Sequence, residues 1–216
     1  MDKPEIKASI GLLGGTFDPV HFGHLRTGLD VVEALQLDQL RLIPCATPPH
    51  RAAPTATAQQ RRMMLELAIK NHPKLVVDDC ELQRGSPSYT VDTLLNLRQT
   101  YVDNPLFMLL GTDAFSQLHH WSRWQQILSL THIVVMRRQG EDERLPEALA
   151  DWYQQHIAQA QDRQLPAGKI WPVTVTPLGI SATQIRTMLE HNQDVSYLLP
   201  NAVITLIEQL SLYPSK

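Results

Sequence analysis

Short continuous apolar runs alternate along the chain with stretches in which apolar residues recur every three or four positions. The runs at 9–14, 40–44, 75–78, 106–111 and 133–136 are strand-sized and predominantly apolar, with Ser9, Arg41 and Asp78 the polar members. Between them, 22–37 places Leu25, Leu29, Val32 and Leu35 at helical spacing, and 59–71 and 91–101 follow the same period. Near the end, 183–190 and 200–210 predict two more helices, the second with Val203, Ile204, Ile207 and Leu210 on one face. Strands that are apolar on both faces, separated by helices, predict an α/β fold: a Rossmann-like doubly wound parallel sheet with helices on both faces and a small C-terminal helical part over about 181–212. Residues 139–168 break the pattern with Gln, Asp, Glu and Arg. They predict a polar excursion carrying a surface helix over 146–161. No linker or second core is visible, so the whole chain, 1–216, reads as one domain.

Composition narrows the function. Of the 216 residues, 43% are hydrophobic and 19% charged, which fits a folded globular chain rather than a disordered one. The formal net charge of -3 gives no basic excess to track a nucleic-acid backbone, so nucleic acid is not an expected partner. No apolar run approaches membrane-span length, and the first residues lack a signal-peptide core. Cys45 and Cys80 make neither a disulfide framework nor a metal site and read as two buried thiols. These features predict a cytoplasmic chain, and homo-oligomerisation is compatible with them.

The informative chemistry lies at 14–24, GGTFDPVHFGH, between the first strand and the first helix. In an open parallel sheet ligands bind there. The spacing matches neither a Walker loop nor a dinucleotide fingerprint. Gly14 and Gly15 let the backbone approach a ligand. Asp18 followed by Pro19 resembles a helix start, a capping carboxylate with proline in the first position. His21 and His24, three apart, then share a face of the first turn, where unpaired N–H groups form an anion site. Two imidazoles there suit phosphate oxygens and the charge that develops in phosphoryl or nucleotidyl transfer. Gly23 leaves room for a flat ring against the helix. An ordinary strand–turn–helix with incidental histidines, or a metal pair, would show the same spacing, although no neighbouring Cys or Glu completes a metal site. A second segment, ISATQIR at 180–186, offers Ser181 as N-cap with Thr183 and Arg186 in the first turn, suited to a triphosphate tail.

Together these segments resemble the nucleotidyltransferase superfamily that shares a His-x-Gly-His motif with class I aminoacyl-tRNA synthetases. Further segments resemble the bacterial nicotinate-nucleotide adenylyltransferases: PCATPPHR at 44–51, ELQRGSPSYTVDTL at 81–94, GTD at 111–113 with Leu118 and Trp121, and Tyr197-x-x-Pro200-x-x-Val203. The six segments run in order from residue 9 to about 210, and the resemblance covers nearly the whole chain apart from the polar excursion after Gln139. The resemblance implies adenylyl transfer from ATP to nicotinate mononucleotide, giving nicotinate adenine dinucleotide and pyrophosphate, a step of NAD synthesis. It implies direct in-line attack, with Mg²⁺ carried by the ATP phosphates and no protein metal cluster.

Carried over by position, the resemblance implies that His21 and His24 contact ATP phosphates, His24 nearest the reacting one. Gly14, Gly15, Thr16 and Phe17 line the space between the nucleotides. Ser181, Thr183 and Arg186 hold the outer phosphates, backbone near Ile180 borders the adenine, and Gly111 and Asp113 face the ribose. Tyr89, Thr90, Trp121 and Ser122 hold the nicotinate ring, Trp121 by stacking, while Trp124 suits a core role. Arg51 stands where the family usually has Lys, Ala182 for a common Ser, Ser122 for a common aromatic and Thr112 for a common Ala. The remaining alternatives are an adenylyltransferase for nicotinamide mononucleotide or another small molecule, and a non-catalytic nucleotide sensor.

Overall fold

The computed structural model describes residues 7–46, 53–84, 89–138, 140 and 145–214. Six parallel strands form one sheet: β1 (Ile10–Gly15), β2 (Gln39–Pro44), β3 (Leu75–Val77), β4 (Leu106–Gly111), β5 (His132–Arg138) and β6 (Ile170–Val175), in the order β3-β2-β1-β4-β5-β6. The order reverses between β1 and β4, the switch point of a doubly wound sheet.

Alternation along the central strands separates two cores. Ile10 and Leu12 of β1, with Met108 and Leu110 of β4, face one; Leu13, Phe107 and Leu109 face the other. The second face is covered by α1 (Phe22–Ala34), α2 (Ala58–Ile69), α8 (Ala182–Glu190) and α9 (Asn201–Gln209), which contribute Val31, Met64, Ile185 and Val203. The first is covered by α4 (Thr90–Thr100), α5 (Thr112–Ser116), α6 (Trp124–Leu130) and α7 (Glu147–His156), through Val91, Phe115, Ile127 and Leu149. The short α3 (Cys80–Arg84) follows β3.

Register opens the cleft. β1 pairs with β4 only from Ile10↔Leu106 to Leu12↔Met108. Beyond that, β1 stays on β2 as far as Gly15↔Pro44, and β4 stays on β5 as far as Gly111↔Met136. The carboxyl ends of the two central strands therefore part.

Several expectations need correction. The strand β6 escaped the hydrophobic pattern because IWPVTV carries Pro172 opposite Val135; as an edge strand it tolerates proline. The polar excursion is the β5–β6 crossover. Its helix α7 buries Leu149 and Tyr153, with Tyr153 edge-on to Phe115 at 5.7 Å and Trp152 edge-on to Trp124 at 5.2 Å. On α9 the buried face is Val203, Leu206 and Ile207, while Leu210 is exposed. Cys45 and Cys80 are free and half-buried rather than buried.

Candidate active site

Helix α1 begins differently from the expected capped turn. Its N-cap is His21, and Asp18 lies three residues earlier, 4% exposed, accepting N–H groups from Thr55 at 2.8 Å and Ala56 at 3.1 Å. The carboxylate therefore braces the 55–57 segment that leads into α2 and does not cap α1. The His21 N–H instead donates to His24 Nδ1 at 3.3 Å. That bond makes Nδ1 the acceptor and leaves the proton of a neutral His24 on Nε2. The two rings stack with centroids 3.7 Å apart. Burial pushes His21 down to about 4; burial, then the neighbouring His21, push His24 down to about 3. Both are neutral near pH 7. His21 Nδ1 is buried and has no hydrogen-bond partner.

Gly23 does leave space for a ring, and His21 fills it. A methyl group at Gly23 would lie 2.9 Å from His21 Cε1 and Nδ1 and 3.3 Å from the Ile180 carbonyl oxygen. On the other side Phe17, 1% exposed, meets His24 edge-on at 5.0 Å and lies over Gly15. Phe17 has φ 51°, a left-handed conformation that costs an aromatic residue of order 1–3 kcal/mol and that clusters at functional sites.

From Gly15 the surface continues into a cavity of about 730 Å³ at the parted strand ends. Nine of the expected residues line it: Gly14, Gly15, Thr16, Tyr89, Thr90, Gly111, Asp113, Trp121 and Ser122. Thr90 opens α4, with Tyr89 as its N-cap, and Asp92 in that first turn pairs with Arg123 beside Ser122. The ion pair ties the Tyr89–Thr90 wall to the Trp121–Ser122 wall. Trp124 does not line the cavity.

The remaining expected residues lie at the start of α8 and along it. The Ile180 carbonyl abuts Gly23, and Ser181 caps α8 by accepting the Gln184 N–H at 3.1 Å. Arg186 lies in the second turn of α8, not the first. Its Nη1 donates to the Asp18 carbonyl at 2.7 Å and its Nη2 to Thr183 Oγ1 at 3.3 Å. Arg51 lies outside the described residues.

Sequence reasoning missed two groups. Arg61, 1% exposed, donates from Nη1 to the Thr16 carbonyl and from Nη2 to the Cys45 carbonyl, both at 2.7 Å, joining the ends of β1 and β2. The available signal was a charge at 61 in line with Met64 and Leu65 on the buried stripe of α2. Glu81, 8% exposed, lines the cavity and accepts the Thr93 hydroxyl at 2.6 Å. Among the described residues no group of three or more His, Cys, Asp or Glu could hold a metal ion, and no helix is long and apolar enough to cross a membrane.

A cleft at the switch point, flanked by neutral hydrogen-bonding imidazoles at a helix N-terminus, defines a nucleotide-binding α/β protein. The cytidylyltransferase-like family model matches residues 12–188. A Pseudomonas fluorescens protein named "Probable nicotinate-nucleotide adenylyltransferase" is 48% identical over 206 residues, covering 94% of this chain and 96% of that one. An Aeromonas salmonicida protein of the same name is 46% identical, covering 96% and 98%. The fold matches the Plasmodium falciparum nicotinic acid mononucleotide adenylyltransferase solved in complex with NaAD, with a TM-score of 0.73 at 16% identity, covering 97% of this chain and 98% of that one. The chain belongs to the cytidylyltransferase-like family, and within it to the nicotinate-nucleotide adenylyltransferases.

Proposed function

We propose that the chain transfers the adenylyl group of ATP to nicotinate mononucleotide, forming nicotinate adenine dinucleotide and releasing pyrophosphate. The observation that carries this reading is the His21–His24 stack at the α1 N-terminus, adjoining through Phe17 and Gly15 a cavity large enough for a nucleotide. The names of relatives 46–48% identical over nearly the full chain support the same reaction.

In this reading a mononucleotide 5′-phosphate oxygen attacks the α-phosphorus of ATP in line, and the bond to the bridging oxygen of the leaving pyrophosphate breaks. No side chain forms a covalent bond. Catalysis rests on positioning and on donors aimed at developing charge. His24 presents Nε2–H to the α-phosphate. Ser181, Thr183 and Arg186 meet the outer phosphates, and the backbone near Ile180 borders the adenine. Gly111 and Asp113 face the ribose. Tyr89, Thr90, Trp121 and Ser122 enclose the pyridine ring, with N–H groups near Thr90 and Ser122 for its carboxylate. The phosphate-facing side chains are hydrogen-bond donors, so Mg²⁺ accompanies ATP on its phosphates, where it would offset their charge. We read the chain as one cytoplasmic nucleotidyltransferase domain.

One observation favours a second reading. Glu81 lines the cavity and could accept an amide N–H, which suits nicotinamide mononucleotide. The experiment is pyrophosphate release with identification of the dinucleotide by mass spectrometry. Release must require both ATP and a mononucleotide; ATP hydrolysis alone, or none, would defeat the proposal.

A further inference from the structure

Asp18 joins the phosphate side of the site to a distant part of the chain. Its Oδ1 accepts the Tyr213 hydroxyl at 2.7 Å as well as the Ala56 N–H, and its Oδ2 accepts the Thr55 N–H. Arg186 Nη1, bonded to the Asp18 carbonyl, also lies 3.9 Å from Oδ2. The guanidinium assigned to the triphosphate therefore faces a carboxylate of its own protein. That carboxylate competes with phosphate for it, and each donor it accepts weakens the competition.

Tyr213 is built into this contact. It is 4% exposed and holds φ 55°, a costly conformation for an aromatic residue. Burial and the adjacent Asp18 push its phenol well up, so the hydroxyl remains a donor.

We propose that Tyr213 is a positioning residue for ATP binding: by occupying Asp18 Oδ1 it limits the pull of that carboxylate on Arg186 and leaves the guanidinium available to the triphosphate. The inference rests on the assignment of Arg186 given above.

The test is a double-mutant cycle between Tyr213→Phe and Arg186→Ala, read as KM for ATP, KM for the mononucleotide, kcat and melting temperature. Loss of one hydrogen bond from the network predicts a rise of about two- to tenfold in ATP KM for Tyr213→Phe. The mononucleotide KM and kcat should hold. With Arg186→Ala already present, Tyr213→Phe should change ATP KM no further. A rise of both KM values, an equal rise in both backgrounds, or no rise overturns the proposal. If Arg186→Ala alone leaves ATP KM unchanged, the Arg186 assignment fails instead, and this proposal with it. Should the Phe variant not fold, 3-fluorotyrosine placed at 213 alone keeps the ring and strengthens donation. It is expected to lower ATP KM, and an unchanged or raised value overturns the proposal.

Discussion

Gly23→Ala separates packing from catalysis in this site. The added methyl would sit 2.9 Å from two atoms of the His21 ring, about 0.6 Å inside normal carbon contact. Moving the helix outward is opposed by the Ile180 carbonyl, 3.3 Å from the same methyl. Moving the ring disturbs its 3.7 Å stack with His24. Overpacking of this kind costs about 1–3 kcal/mol. Against it, replacing a helical glycine with alanine stabilises by up to about 1 kcal/mol. The gain offsets only part of the cost, so the net loss in stability is expected between about zero and 3 kcal/mol. Activity has no such compensation. A displaced imidazole pair should lower kcat by about 10- to 10²-fold, since a misplacement of about 1 Å can cost about 10²-fold. Thermal melting paired with steady-state pyrophosphate release checks both. A folded variant with kcat within about threefold of the parent would refute the claim that the stacked imidazoles serve the reaction.

His24→Ala should lower kcat by about 10²–10³ while an ATP analogue binds nearly as before, measured by calorimetry beside steady-state kinetics. Trp121→Ala should raise the mononucleotide KM by about tenfold and spare the ATP KM, since the ring is assigned to stacking; equal effects would place the indole elsewhere. Acid should destabilise the fold. The imidazoles of His21 and His132 titrate near 4 and that of His24 near 3 when folded, against 6.5 when unfolded. From about 6.5 down to about 4 the unfolded chain binds more protons, so stability falls across that window, by of order 1 kcal/mol per imidazole at pH 5.5. Melting temperature from pH 7 to 5 tests this, and a flat profile would contradict it.

The sequence made legible whatever depended on local pattern. Five of the six strands stood out as apolar runs, the central β1, β4 and β5 because consecutive residues are buried on both faces, and GGTFDPVHFGH marked the first crossover as the ligand end. What it hid depended on pairing across the fold. Asp18 before Pro19 has the local form of a cap, yet its partners, Thr55, Ala56 and Tyr213, come from segments that only folding brings together. Arg61 falls in line with the buried stripe of α2, but the carbonyls that hold its guanidinium lie at the ends of two strands that only folding brings to it. In α7 the spacing of Leu149, Tyr153 and Ile157 was present in the sequence, outweighed there by the surrounding polar residues. Glu81 lay inside a quoted segment and took on meaning only when the cavity wall included it.

Substrate choice tests the central claim most directly. With ATP saturating, kcat/KM for nicotinate mononucleotide is compared with that for nicotinamide mononucleotide. In the proposed pocket, backbone donors near Thr90 and Ser122 would pair with a carboxylate and be left unpaired against an amide NH₂, an error that can cost up to about 10⁴–10⁵ in efficiency. Nicotinate mononucleotide is therefore predicted to be preferred by at least about 10²-fold. Equal efficiency would mean a dual-specificity enzyme and contradict this assignment of the pocket; preference for the amide would contradict it too and point to Glu81 as the residue that reads the ring.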